Sequence, residues 1–322
     1  MDLKAYADLL SLQSGVISRR QLHGDAQMAP YDLQRLIRRR DLVRVHDGVY
    51  VNHTGELTWL QRAWVGVHLV WPAALTRESA LRAADGPGRA ASDDSVIHLA
   101  VDRDRHARVP TAGYRLHRTS GFHERVMWNT SPPRVRIEEA LIDVAAREPD
   151  DFGAISVLAD AIQARRTQAA RISAALDARA RVPRREFLTG VVADLQHGTC
   201  SVLEHGYLTL VERPHGLPTG RRQVLGSSRG PVYRDVAYDA YDQLVELDGR
   251  MWHDRAAQRD ADLDRDLDAA VERLGTVRLG WGQVFGRPCK TAARVGRLLE
   301  VRGWHGVLTR CPQCPETDRL AG

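Results

Sequence analysis

The segment PYDLQRLIRRRDLVRVHDGVYV, residues 30–51, decides the fold of the N-terminal region. Pro30 stands where a helix tolerates proline, at its first position, and Leu33, Leu36 and Ile37 recur at helical spacing. Arg35, Arg38 and Arg39 fall on other faces of that helix. From Val43 the period drops to two, through Val45, the pair Asp47-Gly48, and then Val49 and Val51. Asp-Gly between alternating apolar residues predicts a hairpin.

Upstream, Leu3, Ala7 and Leu10 mark a first helix over residues 3–13, which Ser14-Gly15 ends. Ser18 is placed to cap a short second helix that closes near Gly24. Three short helices followed by a hairpin is the order of a winged helix-turn-helix, expected here over residues 1–55. Residues 14–46 carry seven Arg against three Asp. The third helix is then the one to enter a major groove, with the hairpin near phosphate. Arg19, Arg20, Arg35, Arg38, Arg39 and Arg44 are the candidate contacts to double-stranded DNA. The competing expectation is a helical protein-interaction module with a solvated Arg face.

The chain has 322 residues, 43% of them apolar and 27% charged, which suits two or three globular domains and excludes a fibre or a disordered chain. Lys4 and Lys290 are the only lysines among 46 basic residues. Arg grips phosphate bidentately, although codon bias in a GC-rich genome gives the same excess. Four cysteines exclude a disulfide scaffold. The most apolar stretch, 63–75, is interrupted by His68 and Pro72 and falls short of a bilayer span, and the N-terminus lacks a signal core. A soluble, cytoplasmic protein with no membrane partner is expected.

Residues 56–196 are expected to form an α+β middle domain. A helix over 56–71 places Leu60, Trp64, Val67 and Trp71 on one face, and strands follow near 97–101 and 114–117. Helices are predicted over 137–147, 152–163, 168–179 and 185–195. Residues 164–186 hold seven Arg against two acids, a second candidate phosphate face or a basic linker. His98, His106, His117 and His123 show no metal-ligand spacing on one element.

Between residues 200 and 270 the balance inverts to nine Arg against thirteen acids. Residues 232–238 read as a strand, 239–242 as a turn and 243–249 as the return strand. A turn symmetric about 240–241 puts Asp235 opposite Glu246, and period two puts Asp248 on the face of Glu246 with Val245 and Leu247 on the other. Like charges facing each other need a reason, and a hard divalent cation such as Mg²⁺ supplies one. The alternative is a register shifted by one, with the acids splayed to solvent. Glu204 lies on a helix expected over 201–211, and His253 follows Asp248 closely. A long helix is predicted over 254–274, a strand over 276–279 and a last helix over 291–301.

This order of elements resembles the PD-(D/E)XK nuclease superfamily, with a restriction-endonuclease-like αβββαβ core over 197–310. SVLE (201–204), YRDVAY (233–238) and VELDGRMWH (245–253) resemble its Vsr-like subgroup. The resemblance implies Asp235 and Glu246 as ligands of Mg²⁺ or Mn²⁺, with Asp248 adding to them, Glu204 as the helix acid and His253 as an acid/base. Arg278 falls on a strand where the subgroup often carries Arg. Asp248 stands where the superfamily usually has Lys, which weakens the expectation of turnover. GVISRRQL…LIRRRDLVRVHDGVYV is similar to the winged-helix domain of AbiEi-type antitoxins, which implies DNA binding and a cognate toxin as partner. Two functions follow: a metal-dependent DNA endonuclease, or a non-catalytic repressor or antitoxin of a type IV toxin–antitoxin system. Cys311-Pro-Gln-Cys314 offers two of the four ligands a structural zinc needs, with Cys289 and His305 as irregularly spaced completers. A loose, reduced tail over 311–322 is expected instead.

Overall fold

The computed structural model describes residues 1–86, 96–108, 112–197, 201–226, 232–248 and 275–314. The helix expected over 254–274, His253 and Cys200 lie outside these residues. The chain is a mixed α/β protein that divides into two units, 1–144 and 145–322. The segment expected as one middle domain over 56–196 is shared between them.

The first unit opens with α1 (Leu3–Leu12), β1 (Val16–Ser18), α2 (Arg19–Gly24), α3 (Pro30–Arg39), β2 (Val43–His46) and β3 (Val49–Val51). Asp2 caps α1, and Ser18 caps α2 in a reciprocal capping box with Gln21. The sheet runs β1-β3-β2, with Val16 opposite Val51 and Arg44 opposite Tyr50. Gly48 takes φ +71° in the two-residue turn, a conformation that glycine adopts without strain. The strand at 16–18 was not legible locally: three residues carry no periodicity, and their partner lies some thirty residues on. Alternation decides where its side chains go. Ile17 and Tyr50 join Leu22, Met28, Leu33 and Leu42 beneath the helices, while Val16, Val49 and Val51 pack into a second core.

That second core lies under α4 (Trp59–Leu69) and a five-stranded mixed sheet. The sheet comprises β4 (Ala74–Leu75), β5 (Ile97–Asp102), β6 (Tyr114–Thr119), β7 (Val126–Met127) and β8 (Arg134–Val135), in the order β6-β5-β4-β8-β7. Trp59 and Trp64 are buried as core residues, but Leu60 is exposed, so the buried stripe of α4 is rotated from the expected one. The unit also contains α5 (Arg77–Asp85) and α6 (Phe122–Arg125), which the residue pattern did not announce.

Helix α7 (Ile137–Ala145) leads to the second unit, where α8 (Asp151–Gln163), α9 (Ala169–Asp177) and α10 (Arg185–His197) occur close to the expected positions. Then come α11 (Ser201–Gly206), continued by a π-helical turn at 207–212, and the strands β9 (Arg221–Gly226), β10 (Val232–Tyr238), β11 (Gln243–Leu247) and β12 (Gly275–Leu279). The sheet order is β12-β11-β10-β9, parallel between β11 and β12 and antiparallel elsewhere. The last helix, α12 (Pro288–Val301), starts one turn earlier than expected, with Pro288 at its tolerated first position. Among the described residues no helix is long and apolar enough to cross a membrane.

Candidate functional site

The α3 helix separates its faces cleanly. Leu33, Leu36 and Ile37 close the core below, while Tyr31, Gln34, Arg35 and Arg38 share the opposite, exposed face at i, i+3, i+4 and i+7. Arg35 reaches back to Asp32, 3.1 Å away. Among the described residues, Arg38 and Arg39 have no carboxylate partner. At the β2–β3 turn, Asp47 sits 2.8 Å from the Arg44 guanidinium and 3.5 Å from that of Arg19. Arg19 also donates to the Tyr50 hydroxyl. Arg20 differs from the others, because its guanidinium lies 4.7 Å over the Trp71 ring in a cation–π contact.

The second basic stretch is committed to the fold in part. Arg184 pairs with Asp151, and Arg185 donates to the carbonyls of Leu176 and Arg179. Arg165, Arg166 and Arg171 line an open groove beside Gln168.

In the C-terminal sheet, Val236 pairs with Val245, Ala237 with Leu244 and Tyr238 with Gln243, the register expected from a turn symmetric about 240–241. The paired positions stop at Val236 and Val245, and the Asp235 side chain lies outside the described part. Val245 and Leu247 are buried and Glu246 is half-buried, as the alternation requires. Glu246 also faces Arg278 across the parallel ladder, and Arg278 Nε donates to Glu246 Oε2 at 3.0 Å. The carboxylates are of the right type for a hard cation, but one of them already answers to a guanidinium. Asp248 follows β11, its backbone N–H donating to Leu279 O at 2.9 Å. Glu204 lies half-buried on α11. Among the described residues, Glu204, Glu246 and Asp248 do not converge into one cation-sized group.

One cluster escaped the sequence, and a second was legible only in its three cysteines. Glu212 is buried, with an Arg222 nitrogen 2.9 Å from its Oε1. Its Oε2 accepts from the Tyr238 hydroxyl at 3.0 Å and from the Gly220 N–H at 3.3 Å. The Tyr207 hydroxyl lies 2.9 Å from that of Tyr238 and donates to it, since the Tyr238 proton is committed to Glu212. Burial pushes both tyrosine hydroxyls well up, with the neighbouring carboxylate adding to the effect. This network ties the π turn to β9 and β10.

The other cluster bears on the start of the expected loose tail, 311–314, while 315–322 lie outside the described residues. Cys311 and Cys314 are half-buried and meet Cys289 and His215, with all four ligand atoms within 4.8 Å of one another. His215, not His305, is the fourth member, and His305 is exposed.

Comparison with known proteins adds little. No family model and no curated protein matches the chain. Among solved structures, the crystal structure of the RV2827C protein from Mycobacterium tuberculosis is similar over 59% of this chain and 76% of that one, at 17% identity and a TM-score of 0.36.

Proposed function

We propose that the chain is a DNA-binding protein whose N-terminal winged module presents α3 to a major groove, with the β2–β3 wing beside phosphate. The observation that carries this reading is the α3 face of Tyr31, Gln34, Arg35 and Arg38, exposed above a closed apolar core. The element order and the β1-β3-β2 sheet support it, since a helix-turn-helix uses its second helix for base edges. Arg is the residue whose planar fork matches both phosphate and guanine edges. Anisotropy of a duplex library at several salt concentrations tests it. Wild type should bind with steep salt dependence, and Arg38→Ala/Arg39→Ala should reduce the slope of log K against log salt by about 0.9 per lost phosphate contact. Salt-insensitive binding, or binding indifferent to both substitutions, refutes the reading.

A second reading is favoured by the β10–β11 ladder, in which Val236 pairs with Val245, so that a ladder continued by one residue would bring Asp235 toward Glu246. Here the C-terminal domain is a Vsr-like fold in which Asp235, Glu246 and Asp248 would hold Mg²⁺ or Mn²⁺; such an ion activates water and polarises a phosphodiester. Arg278 would steady Glu246 between them. Plasmid nicking that needs the cation and disappears in both Asp235→Asn and Glu246→Gln supports this reading. DNA binding without nicking supports the repressor or antitoxin, for which a toxin partner is the matching proposal.

A further inference from the structure

We propose that His215, Cys289, Cys311 and Cys314 bind one Zn²⁺ ion in a closed Cys₃His site that clips the C-terminal segment onto the second unit. The four residues come from three places. His215 ends a short turn at 213–215 after the π-helical segment, Cys289 is the second residue of α12, and Cys311 and Cys314 flank a tight turn in which Cys314 N–H donates to Cys311 O. Nothing apolar or covalent in that arrangement requires a buried imidazole to face three thiols.

Three of the six ligand separations match the edges of a coordination tetrahedron, and all six lie within 4.8 Å. With Zn–S near 2.3 Å and Zn–N near 2.0–2.1 Å, tetrahedral ligands stand about 3.8 Å apart for two sulfurs and about 3.6 Å for sulfur and nitrogen. Cys289 Sγ lies 3.5 Å from Cys311 Sγ, Cys311 Sγ lies 3.7 Å from Cys314 Sγ, and Cys314 Sγ lies 3.6 Å from His215 Nε2. A disulfide needs about 2.05 Å and would use only two of the three sulfurs.

The surroundings point the same way. His215 is buried, with 2% of its surface exposed, and its Nδ1 lies 2.9 Å from the Val211 carbonyl. Nδ1–H therefore donates there, and the Nε2 lone pair faces the sulfurs, the tautomer and orientation a metal-bound histidine takes from a carbonyl partner. The tail is seated beside it: Thr309 N–H donates to His215 O at 2.9 Å and Thr309 Oγ1 to Pro214 O at 3.1 Å. Three thiols and one imidazole are soft and borderline donors that select Zn²⁺ over Mg²⁺ or Ca²⁺. Four protein ligands leave no open position, so the ion is structural and not catalytic. On binding, each thiol releases its proton to solvent while the neutral imidazole loses none, so uptake is pH-dependent. The site is independent of the DNA-binding and nuclease readings.

The test uses the full chain, expressed with zinc in the medium and purified under reducing conditions. Elemental analysis should give about one Zn²⁺ per chain. Apo-protein titrated with Co²⁺ should develop the visible absorption of a tetrahedral thiolate site. His215→Ala and Cys314→Ser should lose both signals, whereas His305→Ala should keep them. Ligand loss can also unfold the region, so His215→Cys provides a second arm: four sulfurs still make a tetrahedral site, and zinc and the Co²⁺ spectrum should persist. The proposal is overturned by a folded wild-type chain that takes up neither metal, by a Cys289–Cys311 disulfide in the native protein, or by zinc retained in a Cys311→Ser/Cys314→Ser chain.

Discussion

The three-stranded sheet at residues 16–51 and the sheet at 221–279 both carry charges on and beside their strands, and they dispose of them in opposite ways. In the first, Arg35, Arg38, Arg39 and Arg44 stay at the surface, hydrated, paired at most with a neighbour on the same element or turn. In the second, Glu212 is taken inside with Arg222 and Tyr238, and Glu246 is half-buried against Arg278. A hydrated cation costs the fold almost nothing and stays available to a phosphate polymer. A buried carboxylate costs desolvation, which its partners must offset, so it is there to hold elements together or to do chemistry.

The contrast is sharpest where the first unit breaks its own habit. His68 is buried beside Trp64, its Nε2 lies 2.6 Å from Gln13 Oε1, and its Nδ1 has no partner. Burial, with Arg20 adding to it, pulls its pKa down to about 3 from 6.5. The unfolded chain therefore takes up the proton first as pH falls. The stability this neutral histidine contributes is complete above about pH 6.5 and is lost on the way to pH 3, an effect of at most roughly 5 kcal/mol. Urea unfolding across that range should show the loss in wild type and a flatter acid limb in His68→Gln. Equal slopes in the two would mean that His68 is not the group responsible.

Next in size is the buried carboxylate. Glu212→Ala should cost about 3 kcal/mol in the unfolding of the second unit, the low end for breaking a buried pair because Arg222 keeps part of its exposure. Glu212→Gln should cost less, since it still accepts from Tyr238. A change below 1 kcal/mol for Glu212→Ala would erase the contrast between the sheets.

Arg278→Ala should cost about 1 kcal/mol, discounted because both partners remain partly exposed. The cost should shrink in a Glu246→Gln background, which a double-mutant cycle measures.

The smallest effect belongs to helix α3. Arg38→Ala and Arg39→Ala should leave stability within about 0.5 kcal/mol while weakening binding to duplex DNA. A large loss of stability would show these cations to be part of the fold and not a free face.

The physical range of each signal explains what could be read from the chain. Helix α3, the Asp47-Gly48 hairpin, the Ser18 cap and the β10–β11 register are made by residues within a few positions of each other, so periodicity and turn chemistry reveal them. Strand β1 has no such signal; its pairing to β3 is set by cores on both of its faces. The rotation of the α4 stripe was hidden for a related reason, because a helix apolar nearly all round does not say which side will meet a sheet.

Sequence alone therefore determined the local elements, the split between basic and acidic regions, and the register of the strands across one turn. Tertiary structure alone decided which charges are free and which are held. It placed Arg278 on Glu246, Arg222 on Glu212 and Arg20 over Trp71. It also brought His215 to Cys314 across 99 positions, a partner no spacing in the sequence had indicated. Ligand and ion-pair geometry depends on where distant backbone segments pack, and no one-dimensional spacing encodes that distance.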